Sequence, residues 1–506
     1  MGLLFESGDI DILEPVLEEK NECRLETEVY LPDYLPDVQK ILRSEIIPRV
    51  SSRDILAGRI TVEGEAEIRV FYKSAENGIG CAVTHKEFSH TFAVSEPDAD
   101  YDISTETVGS INSVRASGPR KIAIKAEIVT SLVAVKKAVL QIVESVSEGI
   151  EVRKERISAI LNAESAEREI RFTEELELPE TLPEVSALLY TDAAAYLKDT
   201  SVSKGRCVIK GDLIIKPVFV TPDGKPVGAE FKFPVSQIID IPNLDPDYIC
   251  DAELQIAGVY AESEENADNK NRIIDCEIVI NVILHAYKTG EYDIISDVFS
   301  PCHTLNEEYA DEKYLTCFDY YRDEKSVRCE VETESGIESV IGVYASHRIM
   351  RVSVNDGCLK AEGIVNADVI YNSDETGICS KKAELPFEFS FPFNCDSQLR
   401  CETSAAIGSV GYIITGENLI ELRCDVAIKA TVCSEKKLRA VAEFTVSGEK
   451  DSCSRYPITL YYAESGESVW EISKKYGASF SEVLAENGLD NDEIAIGKML
   501  IIPLKL

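Results

Sequence analysis

The side chains able to do chemistry in this chain are either scarce or wrongly spaced for it. Its five histidines are His85, His90, His285, His303 and His347. None makes an H-x-x-x-H or H-E-x-x-H pair, the spacing that sets two imidazoles on one helix face for zinc. His85 and His90 alternate with polar residues beside a phenylalanine-rich segment and read as surface or structural groups. Cys302 and His303 are adjacent, too close for the usual ligand pair. Fifteen cysteines run from Cys23 to Cys453 without a single C-x-x-C. The odd count and the absence of an export leader make them reduced thiols, several at strand positions that need a small apolar side chain. With 90 carboxylates, an acid–base pair can be drawn anywhere and means nothing without geometry. No G-x-S-x-G, P-loop or G-x-G-x-x-G is present. The expectation is a protein without catalysis, cofactor or metal.

Binding is a better prospect than catalysis, and it points to Trp470, the only tryptophan. After the polar linker 450–454 comes a strand, Ile458-Thr459-Leu460-Tyr461-Tyr462, and a glycine turn, Ser465-Gly466-Glu467. Ser468 stands three residues before Glu471, a capping box that opens a helix. Val469, Ile472 and Tyr476 follow at helical spacing, and Gly477 stops the run. The device repeats: Ser479 with Glu482, then Phe480, Val483 and Leu484, then Gly488. Met499 to Ile502 is a last strand, stopped by Pro503. The order is strand, helix, helix, strand. Trp470 lies one position beyond the first apolar residue of its helix stripe. It either packs against Tyr461 or Tyr462, or stands partly exposed as an anchor flanked by Ile458, Val469 and the loop 466–468.

These elements sit at the end of a long, acidic chain. Its 506 residues exceed one core and suggest three or four domains. A formal charge of -38 repels phosphate backbones and anionic lipid, so neither nucleic acid nor a membrane surface is an expected partner. No run approaches the ~18 apolar residues of a spanning helix, and Met1 to Glu6 shows no export leader.

The body repeats itself with a period near 150 residues. Leu31-Pro32-Asp33-Tyr34-Leu35-Pro36-Asp37-Val38 returns as Leu178-Pro179-Glu180-Thr181-Leu182-Pro183-Glu184-Val185. At the same offset Gly58 to Gly64 returns as Gly205 to Gly211. A third copy lacks the Leu-Pro motif, but Leu359 to Tyr371 parallels Ile60 to Tyr72. A later strand aligns as Ile124 to Ile128, Ile274 to Ile278 and Leu422 to Val426. A Phe-rich segment lies between, at Phe88 to Phe92, Phe231 to Phe233 and Phe387 to Phe391. Val62, Gly64, Ala66, Ile68 and Val70 alternate with Glu63, Glu65, Glu67 and Arg69, which gives a strand with one buried and one wet face. The glycine suggests a bulge or close backbone approach. The Leu-Pro segment reads as an extended clamp leading to short helix-like stretches at Val38–Arg43 and Val185–Tyr190. Each copy thus reads as a β-sandwich or barrel with a minor helix, large enough to bury its own core, so the copies are expected to be beads.

Two resemblances follow from these residues. Leu460 to Pro503 resembles a LysM module at Gly466-Glu467-Ser468, Val469-Trp470-Glu471-Ile472, Tyr476-Gly477, Leu484, Asn487 and Gly497-Lys498-Met499-Leu500-Ile501-Ile502-Pro503. Glu467-Ser468 stands where Asp-Thr is usual. The likeness implies a βααβ fold and, as the usual ligand, N-acetylglucosamine chains of peptidoglycan, held by the Gly466 loop and the loop from Asn487 to Ile494. The binding residues it marks are Ile458, Gly466, Glu467, Ser468, Val469, Trp470, Asn487 and Ile494. The upstream repeats resemble the SPOCS domains of clostridial spore-coat morphogenesis proteins, through the Leu-Pro-x-x-Leu-Pro segment and the Val-x-Gly strand. Together these imply a mainly β chain: SPOCS-like repeats at 1–147, with an acidic N-terminal segment, 148–300 and 301–450, then LysM at 455–506. They also imply a mother-cell cytoplasmic protein at the forespore surface. Its LysM module would dock on the coat-basement ATPase or another coat protein.

Overall fold

A computed structural model describes residues 5–503 apart from 75–77, 97–100, 267–269, 356, 394–398, 451–457, 465 and 495–496, with the side chains of 317–318 also left aside. Most of the expected linker, 451–454, therefore lies outside the described residues. Copy one contributes β1 (Phe5–Tyr30), β2 (Val38–Leu56), β3 (Arg59–Ser74), β4 (Ile79–Ala93), β5 (Tyr101–Gly118) and β6 (Lys121–Val146). Copy two contributes β7 (Glu151–Glu177), β8 (Ala187–Ser203), β9 (Arg206–Val220), β10 (Pro226–Gly228), β11 (Phe231–Asp240), β12 (Ile249–Glu265) and β13 (Asn271–Phe299). Copy three contributes β14 (His303–Glu332), β15 (Ser339–Asn355), β16 (Cys358–Ser373), β17 (Gly377–Pro392), β18 (Leu399–Gly416) and β19 (Leu419–Glu449).

Each copy builds two antiparallel sheets. One holds the long strands, in the orders β1-β6-β5, β12-β13-β7 and β14-β19-β18. The other holds the shorter ones, as β2-β3-β4, β8 and β10 with β9 and β11, and β15-β16-β17. The alternating pattern dictates this packing. In copy three the inward Leu359, Val365 and Phe389 meet Leu422, Val426 and Ile428 between the two sheets.

The expected glycine bulge is present three times. β2, β8 and β15 slip register at Val50/Ser52, Leu197/Asp199 and Ile349/Arg351, opposite Gly64, Gly211 and Gly363 respectively. A Cβ on Gly211 would lie 2.5 Å from the Tyr196 carbonyl oxygen, and one on Gly363 2.7 Å from that of Arg348. The bulge presses backbone onto the strand, and only glycine leaves room.

The Leu-Pro segments act as clamps. Leu31 N and Val38 N donate to the carbonyls of Arg120 and Pro119, at 2.9 and 2.7 Å. Leu178 N and Val185 N do the same to Arg272 and Asn271, at 2.9 and 2.8 Å. Arg120 and Arg272 return the contact, donating to Pro32 O at 2.6 Å and to Leu182 O at 2.8 Å.

Four expectations are corrected. The helix-like stretches are extended: Val38–Arg43 opens β2 and Ala187–Tyr190 opens β8, because Ile41 and Leu188 find partners on β3 and β9. The second-copy alignments were out of register. The hairpin pairs Tyr30↔Lys121, Glu177↔Ile273 and Glu332↔Leu419 make Ile274 the counterpart of Ile122, two residues earlier than the sequence alignment gives. Likewise Val235, not a phenylalanine, stands opposite Gly211 where Phe88 and Phe387 stand opposite their glycines. Arg69 is not on a wet face. It is buried beside Glu67 at 2.5 Å and Asp192 of copy two at 3.2 Å.

The fourth correction matters most. The copies are not beads. Leu13, Ile160 and Leu315, equivalent residues of β1, β7 and β14, share one cluster. Ile142, Ile294 and Ala440, equivalents on β6, β13 and β19, share another with Ile12, Ala159 and Tyr314. A third draws Phe71, Val218 and Ile370 together from the shorter sheets. Equivalent residues meeting in threes is the mark of a pseudo-threefold arrangement about a common core. At its shorter-sheet end Arg43 of copy one lies 4.3 Å over the Tyr344 ring of copy three.

Gly211→Ala should lower stability by about 1–3 kcal/mol, because backbone rather than a pliable side chain blocks the methyl. Gly205→Ala, at φ +75 but facing open space, should cost about 1–2 kcal/mol from the left-handed backbone alone. Urea unfolding of the pair tests this. Loss at Gly205 but none at Gly211 would rule out the bulge account.

Candidate functional site

The C-terminal elements are β20 (Ile458–Tyr462), α1 (Val469–Tyr476), α2 (Phe480–Asn487) and β21 (Met499–Pro503), and β20 pairs with β21 antiparallel from Ile458↔Pro503 to Tyr462↔Met499. The helices cover one face of this ribbon, and Val469, Ile472, Val483, Leu500 and Ile502 form the core between them. The Ser468 capping box is complete: Glu471 N donates to Ser468 Oγ and Ser468 N to Glu471 Oε2, each at 3.2 Å. The box expected at α2 does not form, since the Ser479 hydroxyl sits 3.1 Å from that of Ser481 and makes no cap bond.

The residues marked from sequence divide into three groups. Gly466, Glu467 and Ser468 form the turn before α1, and Val469 N bonds to Asp492 O at 3.1 Å, so the loop carrying Ile494 is drawn to the same helix end. Glu467 is held from within: Glu464 N donates to it at 2.9 Å and the Tyr461 hydroxyl at 2.7 Å. The Glu464 amide first, then Tyr461, keep its carboxyl below the ordinary range. Asn487 is equally committed, donating to Val483 O and Ile501 O and accepting from Ile501 N, at 2.7–2.8 Å. It ties α2 to β21. Val469 is buried and Ile494 packs on the module core.

Ile458 belongs to a surface that sequence reading only touched. It is 56% exposed, Leu460 58%, Tyr462 65% and Met499 45%. With Ile501 and Pro503, their cross-strand partners, they make the outer face of the ribbon wholly apolar. A two-stranded ribbon packed on one face should carry polar residues on the other, so this face is anomalous.

Trp470 is neither packed on Tyr461 or Tyr462 nor exposed. It is 1% exposed, edge-on to Phe299 at 4.9 Å and to Phe480 at 5.5 Å. Its place one step off the stripe turns it away from the module's own core and into the body. There its Nε1 donates to Asp297 Oδ2 at 2.8 Å, and Lys474 Nζ donates to Asp297 Oδ1 at 2.7 Å. Tyr309 adds a third donor at 2.9 Å, and Arg153 pairs with Asp492 at 3.1 Å. Burial alone pushes the Asp297 carboxyl up, but Lys474, Trp470 and Tyr309 outweigh it and hold it below the ordinary carboxylate range. Nothing local in the sequence marks Asp297 or Arg153, whose partners in the module lie 173 residues on or further.

Of the possible catalytic groups, His285 is half-buried 3.3 Å from Asp102 and His85 sits 3.3 Å from Glu65 at the surface. Among the described residues no His, Cys, Asp and Glu group is arranged to hold a metal. The cysteines there are free thiols.

The module's seat has a pH signature. Because its pKa is lowered, Asp297 stabilises docking above the ordinary carboxylate range and loses that effect as pH falls through the depressed value. Trp470 emission should move to the red over that interval. Asp297→Asn should give the red-shifted spectrum already at neutral pH and abolish the step. An unchanged spectrum in the variant would refute the contact.

Comparison with known families agrees with this architecture. The model described as "SipL, SPOCS domain" matches residues 37–114 and 184–264. These spans run from the clamp through the shorter sheet into β5 and β12 of copies one and two. The LysM domain model matches residues 461–503. No curated protein matches the chain, and no helix among the described residues is long and apolar enough to cross a membrane. The chain is therefore a mainly β protein in which two segments are similar to the SPOCS domain of SipL and the C-terminal segment is similar to a LysM domain.

Proposed function

We propose that this chain is a non-enzymatic scaffold of spore-coat assembly. Its LysM module would dock a coat-basement protein, the basement-layer ATPase or another coat component, at the forespore surface on the mother-cell side. The observation that carries the reading is the anomalous ribbon face. One side of the module is fixed to the body through Trp470, Lys474 and Asp492, while Ile458, Leu460, Tyr462 and Met499 stand bare on the ribbon. Apolar, patch-like and unpartnered, such a face suits a protein partner better than a hydroxyl-rich sugar chain.

The competing ligand is peptidoglycan, which LysM domains generally bind. The Gly466–Ser468 turn and the loop of Ile494 are adjacent, as glycan binding asks. Against it, the Glu467 carboxylate and the Asn487 amide are engaged inside the module.

The full-length chain should bind the purified basement-layer ATPase, and Ile458→Glu with Tyr462→Glu should weaken binding at least tenfold. Trp470 emission should stay unchanged, which shows the module still seated. Retention on purified peptidoglycan with no affinity for the ATPase would overturn the docking reading.

A further inference from the structure

The end of copy three remote from the LysM module differs from its two counterparts in a directed way. In copies one and two, Leu31 with Leu35, and Leu178 with Leu182, join the core clusters that also take in Val114 of β5 and Ala261 of β12. Copy three has neither leucine, and Thr333 stands where Leu31 and Leu178 stand. Its connection closes from Thr333 N on Asn418 O to Ile337 N on Glu417 O, with three residues between the anchors instead of six. Its core reaches Val410 and stops short of Tyr412.

What lies beyond is bare. Tyr412 is 44% exposed, Ile413 63% and Ile414 42%. Tyr412 and Ile414 pair with the buried Leu422 and Ile420, so they stand on the core side of β18 yet remain more than two-fifths exposed. Ile413 stands on the other side, opposite Glu421. By register its counterparts are Arg115, opposite Ala123, and Glu262, opposite Asp275. Two copies place a charge there and the third an isoleucine. β18 is also an edge strand, whose backbone can accept an extended chain.

The same register shows what fits. In the other copies the seat is filled by the chain's own Leu-Pro-x-x-Leu-Pro segment, with Arg120 reaching Asp37 at 2.9 Å and Asp33 at 3.7 Å. In copy three Asn418 replaces that arginine. Exposed Glu332, Glu334 and Glu417 surround the tip, and Lys381 reaches Glu334 only at 3.8 Å. Acidic flanks on an incoming segment are therefore disfavoured here.

We propose that the Tyr412–Ile414 tip is a docking surface for an extended, leucine- and proline-bearing segment of a basic partner protein, seated over the core side of β18 beside copy three's own shortened connection. The surface is distinct from the LysM ribbon. β14 runs thirty residues from the module to this tip, a span of roughly 90–100 Å.

The probe is a fluorescein-labelled peptide Leu-Pro-Lys-Tyr-Leu-Pro-Lys-Val, the first clamp with lysine for both aspartates, titrated with full-length protein. Its anisotropy should rise saturably and more than with the native acidic sequence. Ile414→Glu, on the core side of β18, should weaken binding tenfold or more, and Tyr412→Ser should do the same. Thermal melting should be unchanged, since both side chains are substantially exposed. Val139→Glu, at an exposed site elsewhere, should leave binding intact. Absence of peptide binding, or binding indifferent to Ile414→Glu, would overturn the proposal. Self-association dispersed by Ile414→Glu would overturn it too, by making a second copy the occupant.

Discussion

Six strands of 26 to 31 residues, two from each copy, are longer than the sheets that face them, and the rest of the fold answers that mismatch. The shorter sheets, with strands mostly of 15 to 19 residues, cover only one half of each long sheet. The other half carries an equally apolar inner face: Ile142 and Val143, Ile294 and Ile295, Ala440 and Val441 are all buried. A single copy has nothing to place against it. Burying that face is worth roughly 25 cal/mol per Å², and the geometry open to three like sheets is closure on one another. Equivalent residues then meet in threes.

That closure explains why the charged residues behave as they do. Where the shorter sheets converge, Arg43, Glu45, Glu67, Arg69 and Asp192 are enclosed together. Losing one partner from such a group leaves a buried charge uncompensated, a penalty of several kcal/mol. The group ties copy one to copy two through Asp192 and to copy three through Asp368. His285 of copy two, beside Asp102 of copy one, makes a similar link. Burial disfavours its cation, but Asp102 holds the imidazolium above the ordinary range, so the contribution persists in mild acid and fades as pH rises through the raised value.

Much of this was legible, and the failures have a common origin. Period-two alternation marks the strands, the shared offset marks the repeats, and Gly64 marks a bulge. A strand shifted by two residues presents the same face, which is why the second copy aligned plausibly while out of register at Ile274. Arg69 and Trp470 were misread for another reason. Each obeys its local pattern, and each is covered by residues of another copy, Asp192 for the first and Asp297 with Phe299 for the second. No window of sequence contains both sides of those contacts. The ribbon face was half visible: Ile458 was singled out, but Leu460, Tyr462 and Met499 read as ordinary strand residues until the helices were seen to cover the opposite side.

The long antiparallel ladders have a mechanical consequence. β14 and β19 pair from His303↔Glu449 to Glu332↔Leu419, so a pull between the LysM module and the far tip runs along the strands. Force in that direction is carried by the backbone of β19, already extended over 31 residues between the tip and the module end, with the ladders to β14 and β18 bracing it along its length. With the module anchored at Asp297 beside one end of those strands, the body is built to transmit tension along its length with little give.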